Sequence, residues 1–219
     1  HEYMNVLDES EQFGDIVAID TEDVYLNTLY KSVAVLHVST ELCTADLIVK
    51  TDDDTVIHVD RLLATEAAWL EAQGAPCIYC LTTNNSRVYR NETDRWYVSP
   101  DVYAPEFYPR YCSGTFFLMT REAAQLASNG TADYSMTLPD DALITGMAAV
   151  SRGVRLVEVR TGRIQEHLGP ENPIDSALAR AVTVVSSDCK NPEAVQRTWT
   201  EMKGARNGTE NFTRASRRS

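Results

Sequence analysis

The chain has no run of about 18 apolar residues, so no segment of it has the length and apolarity of a membrane-crossing helix. It also lacks a basic stretch followed by an apolar one, the pattern of a secretory leader. It opens on His1 rather than Met, and is expected to be a piece of a longer parent, whose anchor this absence leaves open. Positive charge is scarce: 20 Lys and Arg stand against 32 Asp and Glu, a net charge of −12. Such a chain repels phosphate backbones and anionic headgroups, which argues against nucleic acid as a partner. No internal repeat is present, and no second cysteine pair completes the four-ligand set of a zinc site. Cys77 and Cys80 are three apart in an apolar, strand-like run, so they face opposite sides and share a metal poorly.

What is present is an ordinary globular composition, 43% hydrophobic and 24% charged over 219 residues, suited to one large domain. Asn-x-Ser/Thr sequons occur at Asn84, Asn91, Asn129, Asn207 and Asn211, all in polar, turn-rich surroundings. They favour a secretory lumen. The five cysteines fit that oxidising setting, and their odd number leaves one free or paired outside the chain.

Apolar runs and helical periodicities alternate along the chain. Strands are predicted over 15–20, 45–50, 77–83, 115–119 and 154–159, and helices over 23–38, 60–72, 121–128, 138–152 and 192–203. The first two strands and the helix between them are expected to form a right-handed βαβ unit. Residues 1–204 are read as one α/β domain with a mixed sheet. The Gly-, Asn-, Ser- and Arg-rich stretch 205–219 is expected to be a disordered tail.

The second strand runs into Asp52-Asp53-Asp54, placing three carboxylates at the carboxyl end of a strand, where open α/β sheets bind ligands. Most acidic runs are merely solvated. Here apolar Val56 to Val59 follow at once, pinning the run in structured surroundings, where like charges call for a cation. A calcium loop does not fit: counting from Asp52, its sixth position holds Ile57 in place of Gly and its twelfth Leu63 in place of Glu. Oxygen ligands of this kind suit Mg²⁺ or Mn²⁺ holding two phosphates.

The segment Val49-Lys50-Thr51-Asp52-Asp53-Asp54-Thr55-Val56 resembles the lysine-then-acidic-triplet motif of the β1,3-glycosyltransferases. That family includes β1,3-galactosyltransferases, β1,3-N-acetylglucosaminyltransferases and Fringe. Phe13-Gly-Asp-Ile-Val17 and Asp20-Thr-Glu-Asp23-Val-Tyr25-Leu-Asn27-Thr-Leu-Tyr-Lys31 resemble the strand and the helix start that precede the motif, with departures at Phe13, Thr21, Thr28 and Leu29. Arg95-Trp96-Tyr97-Val98-Ser99, Tyr108-Pro109-Arg110-Tyr111-Cys112-Ser113-Gly114 and Leu138-Pro139-Asp140-Asp141 are similar to three later blocks, in the same order.

The resemblance implies a GT-A-type, Rossmann-like nucleotide-diphospho-sugar transferase fold, with an amino-terminal strand of the family not in this chain. It implies a UDP-sugar donor, galactose or N-acetylglucosamine, with Mn²⁺ or Mg²⁺ as cofactor and a glycan hydroxyl as acceptor. Transfer would invert the linkage, in the Golgi lumen, as the luminal part of a protein held by an amino-terminal membrane anchor. By position in the motifs, Asp54 and His167 would hold the metal. Asp52, Asp53, Asp23, Lys31 and Gly114 would lie on the donor side, Trp96, Tyr97 and Tyr111 on the acceptor side. Asp141 aligns with the base; an adjacent Asp140 and partial burial would raise its pKa into a useful range, although Asp140 and Asp141 also suit a helix start as caps. His37 and His58 sit in helix and strand patterns and read as packed or surface residues. The competing reading is a non-catalytic, degenerate transferase-like module that binds a cation or sugar.

Overall fold

The computed structural model describes residues 2–22, 24–67, 70, 73–159, 162–166, 174, 179, 182–186 and 192–204. Its centre is a four-stranded sheet in the order β1-β4-β3-β5, built from β1 (Leu47–Thr51), β3 (Cys77–Thr83), β4 (Tyr111–Thr120) and β5 (Arg155–Glu158). β4 pairs antiparallel with β1 and β3, whereas β3 pairs parallel with β5, giving the expected mixed sheet. The strands' period of two sorts the side chains to opposite faces. Ile48, Ile78, Cys80, Phe117 and Met119 enter one core; Cys77, Tyr79, Phe116 and Leu118 enter another. Cys77 and Cys80 therefore face opposite ways, as their spacing requires.

Helices cover the first face: α2 (Thr28–Glu41), α4 (Arg121–Gly130) and α5 (Ala142–Ala149), the last with wide, π-type turns. α5 has almost no polar side, and it is buried on nearly all sides between α4 and β4. That burial demands small residues. A Cβ on Gly130 would lie 2.6 Å from the Ala148 carbonyl oxygen, and one on Gly146 2.7 Å from Cβ of Tyr111. Neither neighbour is the flexible end of a side chain. Gly130→Ala and Gly146→Ala are each expected to cost about 1–3 kcal/mol by overpacking, read as a lower urea midpoint at unchanged slope. Gly146→Ala should also displace Tyr111.

On the second face, Leu62 of α3 (Val59–Arg61, continuing in wide turns through Leu62–Ala67), and Leu70 after it, pack against Tyr79 and Phe116. Beyond it lies a three-stranded sheet, β2 (Thr55–Ile57), β7 (Val184–Ser186) and β6 (Ile164–Gln165). α6 (Pro192–Gly204) closes a third cluster with Val56, Val185 and Met202. His58 is buried there beside the Trp199 ring, while His37 is exposed on α2.

The structure departs from the sequence reading at two places near the amino terminus. Residues 15–20 form no strand, and Val17 is 60% exposed. Among the described residues β1 pairs through one edge only, with β4. A short apolar run becomes a strand only where a neighbour takes its backbone hydrogen bonds, so the expected βαβ unit is absent. Residues Glu2–Phe13, for which no element was predicted, form helix α1. Among the described residues, no helix is long and apolar enough to cross a membrane. The tail 205–219 lies outside them.

Candidate active site

At the carboxyl end of β1 the chain turns sharply: the Thr55 amide donates to the Asp52 carbonyl at 3.3 Å, and the Asp52 amide to the Thr115 carbonyl at 3.2 Å. This turn carries the aspartate triplet, with Asp52 and Asp53 exposed and Asp54 half-buried. Beside it opens a cleft of 370 Å³, lined by Lys50 from β1 and Asp52 just after it, Ser113, Gly114 and Thr115 from β4, and Pro139, Asp140 and Asp141 at the entry to α5. Tyr25, Ser86, Tyr89, Trp96 and Tyr111 form much of the remaining wall.

Asp141 sits at the junction of α5 and β4. Its carboxylate accepts the Ala142 amide at 2.7 Å, capping the helix, and it also receives the Gly114 amide. Gly114 is required for this approach, since a Cβ there would stand 3.4 Å from Asp141 Oδ2. Thr145, one turn on, donates to the Asp141 carbonyl and accepts the Cys112 amide at 2.9 Å, tying α5 to the start of β4. Burial, and then the charge of Asp140, push the Asp141 carboxyl up to about 7, against smaller downward effects of the two amides and Lys50. A carboxyl so poised can take a proton near neutral pH. Asp140 is held apart from it by Ser32, whose hydroxyl donates to Asp140 Oδ2 at 2.6 Å.

The aromatic wall comes from the long connection between β3 and β4. Arg90 organises it by donating to the carbonyls of Val98, Tyr103 and Pro105. The Cys80–Cys112 disulfide closes its base. Trp96 donates its indole N–H to the Tyr25 hydroxyl at 2.5 Å, with the Arg95 guanidinium 4.0 Å from its ring centre and the Tyr89 ring at 5.3 Å. The indole is therefore fixed by three neighbours, Tyr25, Arg95 and Tyr89. Burial raises the pKa of Tyr25, Tyr108 and Tyr111, so all three are neutral near pH 7.

Of the residues singled out in the sequence, Asp52, Gly114, Trp96, Tyr111 and Asp141 line this one cleft. Tyr97 lines a small adjoining recess of 40 Å³ that Trp96 and Asp140 share. Lys31 lies elsewhere, on a groove formed with Val17, Ile19 and Val35. Asp53 and Asp54 belong to the turn, outside the cleft lining. Asp23 and His167 fall outside the described residues. Glu166, the residue before His167, accepts from the Thr115 hydroxyl at 2.5 Å, so the end of β6 reaches the cleft wall. Sequence reasoning assigned no role to Lys50, Ser86, Tyr89, Ser113, Thr115 or Glu166. Lys50 and Ser113 fall inside quoted motifs, but what brings all six to one cleft is contact between distant segments, which no local pattern records.

The donor set in the turn is oxygen-only, which fits a hard divalent cation in kind. Asp52 already draws a cation, the Lys50 ammonium at 2.6 Å. Among the described residues no three His, Cys, Asp or Glu side chains converge as a metal site.

A family model described as galactosyltransferase matches residues 2–160. The Beta-1,3-galactosyltransferase bre-2 of Caenorhabditis elegans is 29% identical over 167 residues, covering 68% of this chain and 43% of that protein. Beta-1,3-galactosyltransferase 2 of Homo sapiens is 30% identical over 124 residues, covering 55% and 29%. Beta-1,3-galactosyltransferase GALT1 of Arabidopsis thaliana is 29% identical over 122 residues, covering 56% and 19%. The chain thus spans less than half the length of each of these relatives. With well over half of its own length matched by the family model, the chain belongs to the galactosyltransferase family.

Proposed function

We propose that this chain carries the base and much of the donor side of an inverting β1,3-glycosyltransferase, one that moves galactose or N-acetylglucosamine from a UDP-sugar to a glycan hydroxyl. The observation that carries the reading is Asp141, a carboxyl pushed up to about 7, in the same cleft as Asp52 and an aromatic wall. Asp141 takes the proton of an acceptor hydroxyl. That oxygen bonds to the anomeric carbon as the bond from that carbon to the diphosphate breaks, and the linkage inverts. Asp54 and His167 would hold Mn²⁺ or Mg²⁺, which when bound supplies positive charge against the departing diphosphate. Asp52 and Asp53 complete the donor side, and Trp96 and Tyr111 shape the acceptor side.

The relatives' printed names support galactose as the transferred sugar. The Cys80–Cys112 disulfide and the sequons support an oxidising, luminal compartment, and we place the protein in the Golgi lumen.

Thermal unfolding with UDP, with Mn²⁺, and with both tests the donor site. A raised midpoint only when both are present is expected, and Asp54→Ala should abolish it; saturation at one hundred times Kd corresponds to about 2.7 kcal/mol. No shift under any condition would favour a non-catalytic module.

A further inference from the structure

Lys50 is largely buried for a lysine, its side chain 12% exposed, at the last turn of β1 before the triplet. Its ammonium has two partners from different elements. It donates to Asp52 Oδ1 at 2.6 Å and to the Gly114 carbonyl at 2.5 Å. Nζ lies over the Phe117 ring, 5.8 Å from its centre. The same Gly114 sends its amide to the Asp141 carboxylate, and its missing side chain lets that carboxylate approach. One residue of β4 therefore touches Lys50 through its carbonyl and Asp141 through its amide.

We propose that Lys50 is a positioning residue of this site: it clamps the Asp52 carboxylate to the Gly114 carbonyl and, by holding the Gly114 backbone in place, fixes the carboxylate of Asp141 that packs against it. The proposal rests on Asp141 being the base. Lys50 also acts on Asp141 through space. The groups facing Asp141 are Asp140 from its own helix start, Lys50 from β1, and neutral Tyr25 from before α2, Tyr108 from the β3–β4 connection and Tyr111 from the start of β4. Burial and Asp140 favour the protonated acid, and Lys50 opposes them. Without Lys50 the base would hold its proton to higher pH, and Asp52 would lose its tie to β4.

The test is carbon-13 carboxyl titration of the full chain labelled at aspartate, with Asp141→Asn identifying the resonance by its disappearance. In Lys50→Met the Asp141 midpoint should move to higher pH, and in Lys50→Arg it should stay near that of the parent chain. Lys50→Gln keeps a donor for Gly114 without the charge, and should also move the midpoint upward. It carries the test alone if the Met variant does not fold. A merely structural lysine would leave the midpoint in place, so an unchanged midpoint in folded Lys50→Met or Lys50→Gln overturns the proposal. Transfer that survives in Asp141→Asn would overturn the base assignment beneath it, and is read in a separate experiment.

Discussion

Asp141→Asn is expected to lower glycosyl transfer by about 10²–10⁴-fold, the usual contribution of a positioned general base, while the stabilisation by UDP with Mn²⁺ persists. The amide is isosteric with the carboxyl but cannot take a proton from the acceptor. In the parent chain, transfer should fall tenfold per pH unit below about 7, where the carboxyl is protonated. The same perturbation makes a claim on stability, and its sign is the reverse of the usual aspartate. The folded-state pKa, about 7, lies above the ordinary 3.8, so the folded state holds the proton more tightly than the unfolded chain. Stability is then lost as pH rises from about 4 through 7, by about 4 kcal/mol in all. Asp141→Asn should therefore be more stable than the parent at pH 8 and about equal to it at pH 4. A variant that loses transfer while its thermal midpoint rises at pH 8 has lost a base and kept its fold. Equal midpoints at pH 8 would remove the perturbed carboxyl from the account.

The second large effect belongs to the Cys80–Cys112 bond, which spans 32 residues. Closing a loop of that length restricts the unfolded chain by about 3–4 kcal/mol on the chain-entropy account. Ser86, Tyr89, Trp96 and Tyr108 all lie between the two cysteines, and Tyr111 directly precedes the second, so the bond also holds the frame of the cleft wall. Reduction should lower the urea midpoint and abolish donor-dependent stabilisation, and Cys80→Ala should behave like the reduced chain with no further response to reductant. Cys77 is buried and Cys43 exposed, neither of them disulfide-bonded. Cys189 is outside the described residues. An unchanged midpoint after reduction, with the free thiols confirmed by mass, would show that the loop is held by Arg90 and its backbone contacts alone.

Much of the architecture could be read before any coordinates because its elements are written in local periodicities. β3 spans the predicted 77–83, and α6 spans the predicted stretch to within a residue. β4 was read short because Tyr111, Cys112, Ser113 and Gly114 carry no apolar alternation, yet Tyr111 and Cys112 pair with β3 beyond a register shift. The reading of 15–20 as a strand failed for the complementary reason: apolar residues were present, but among the described residues no neighbour takes their hydrogen bonds.

The sequence by itself placed the aspartate triplet at a strand end, Asp141 at a helix start, and the two neighbouring cysteines on opposite faces of a sheet, because these depend on residues close together in the chain. Tertiary structure alone decided which of those groups share a cleft. It set Gly114 against Asp141, bridged Gly114 to Lys50 across 64 positions, and bonded Cys80 to Cys112. The raised Asp141 carboxyl belongs with these, since desolvation depends on what surrounds a group in space, and chain spacing carries no record of it.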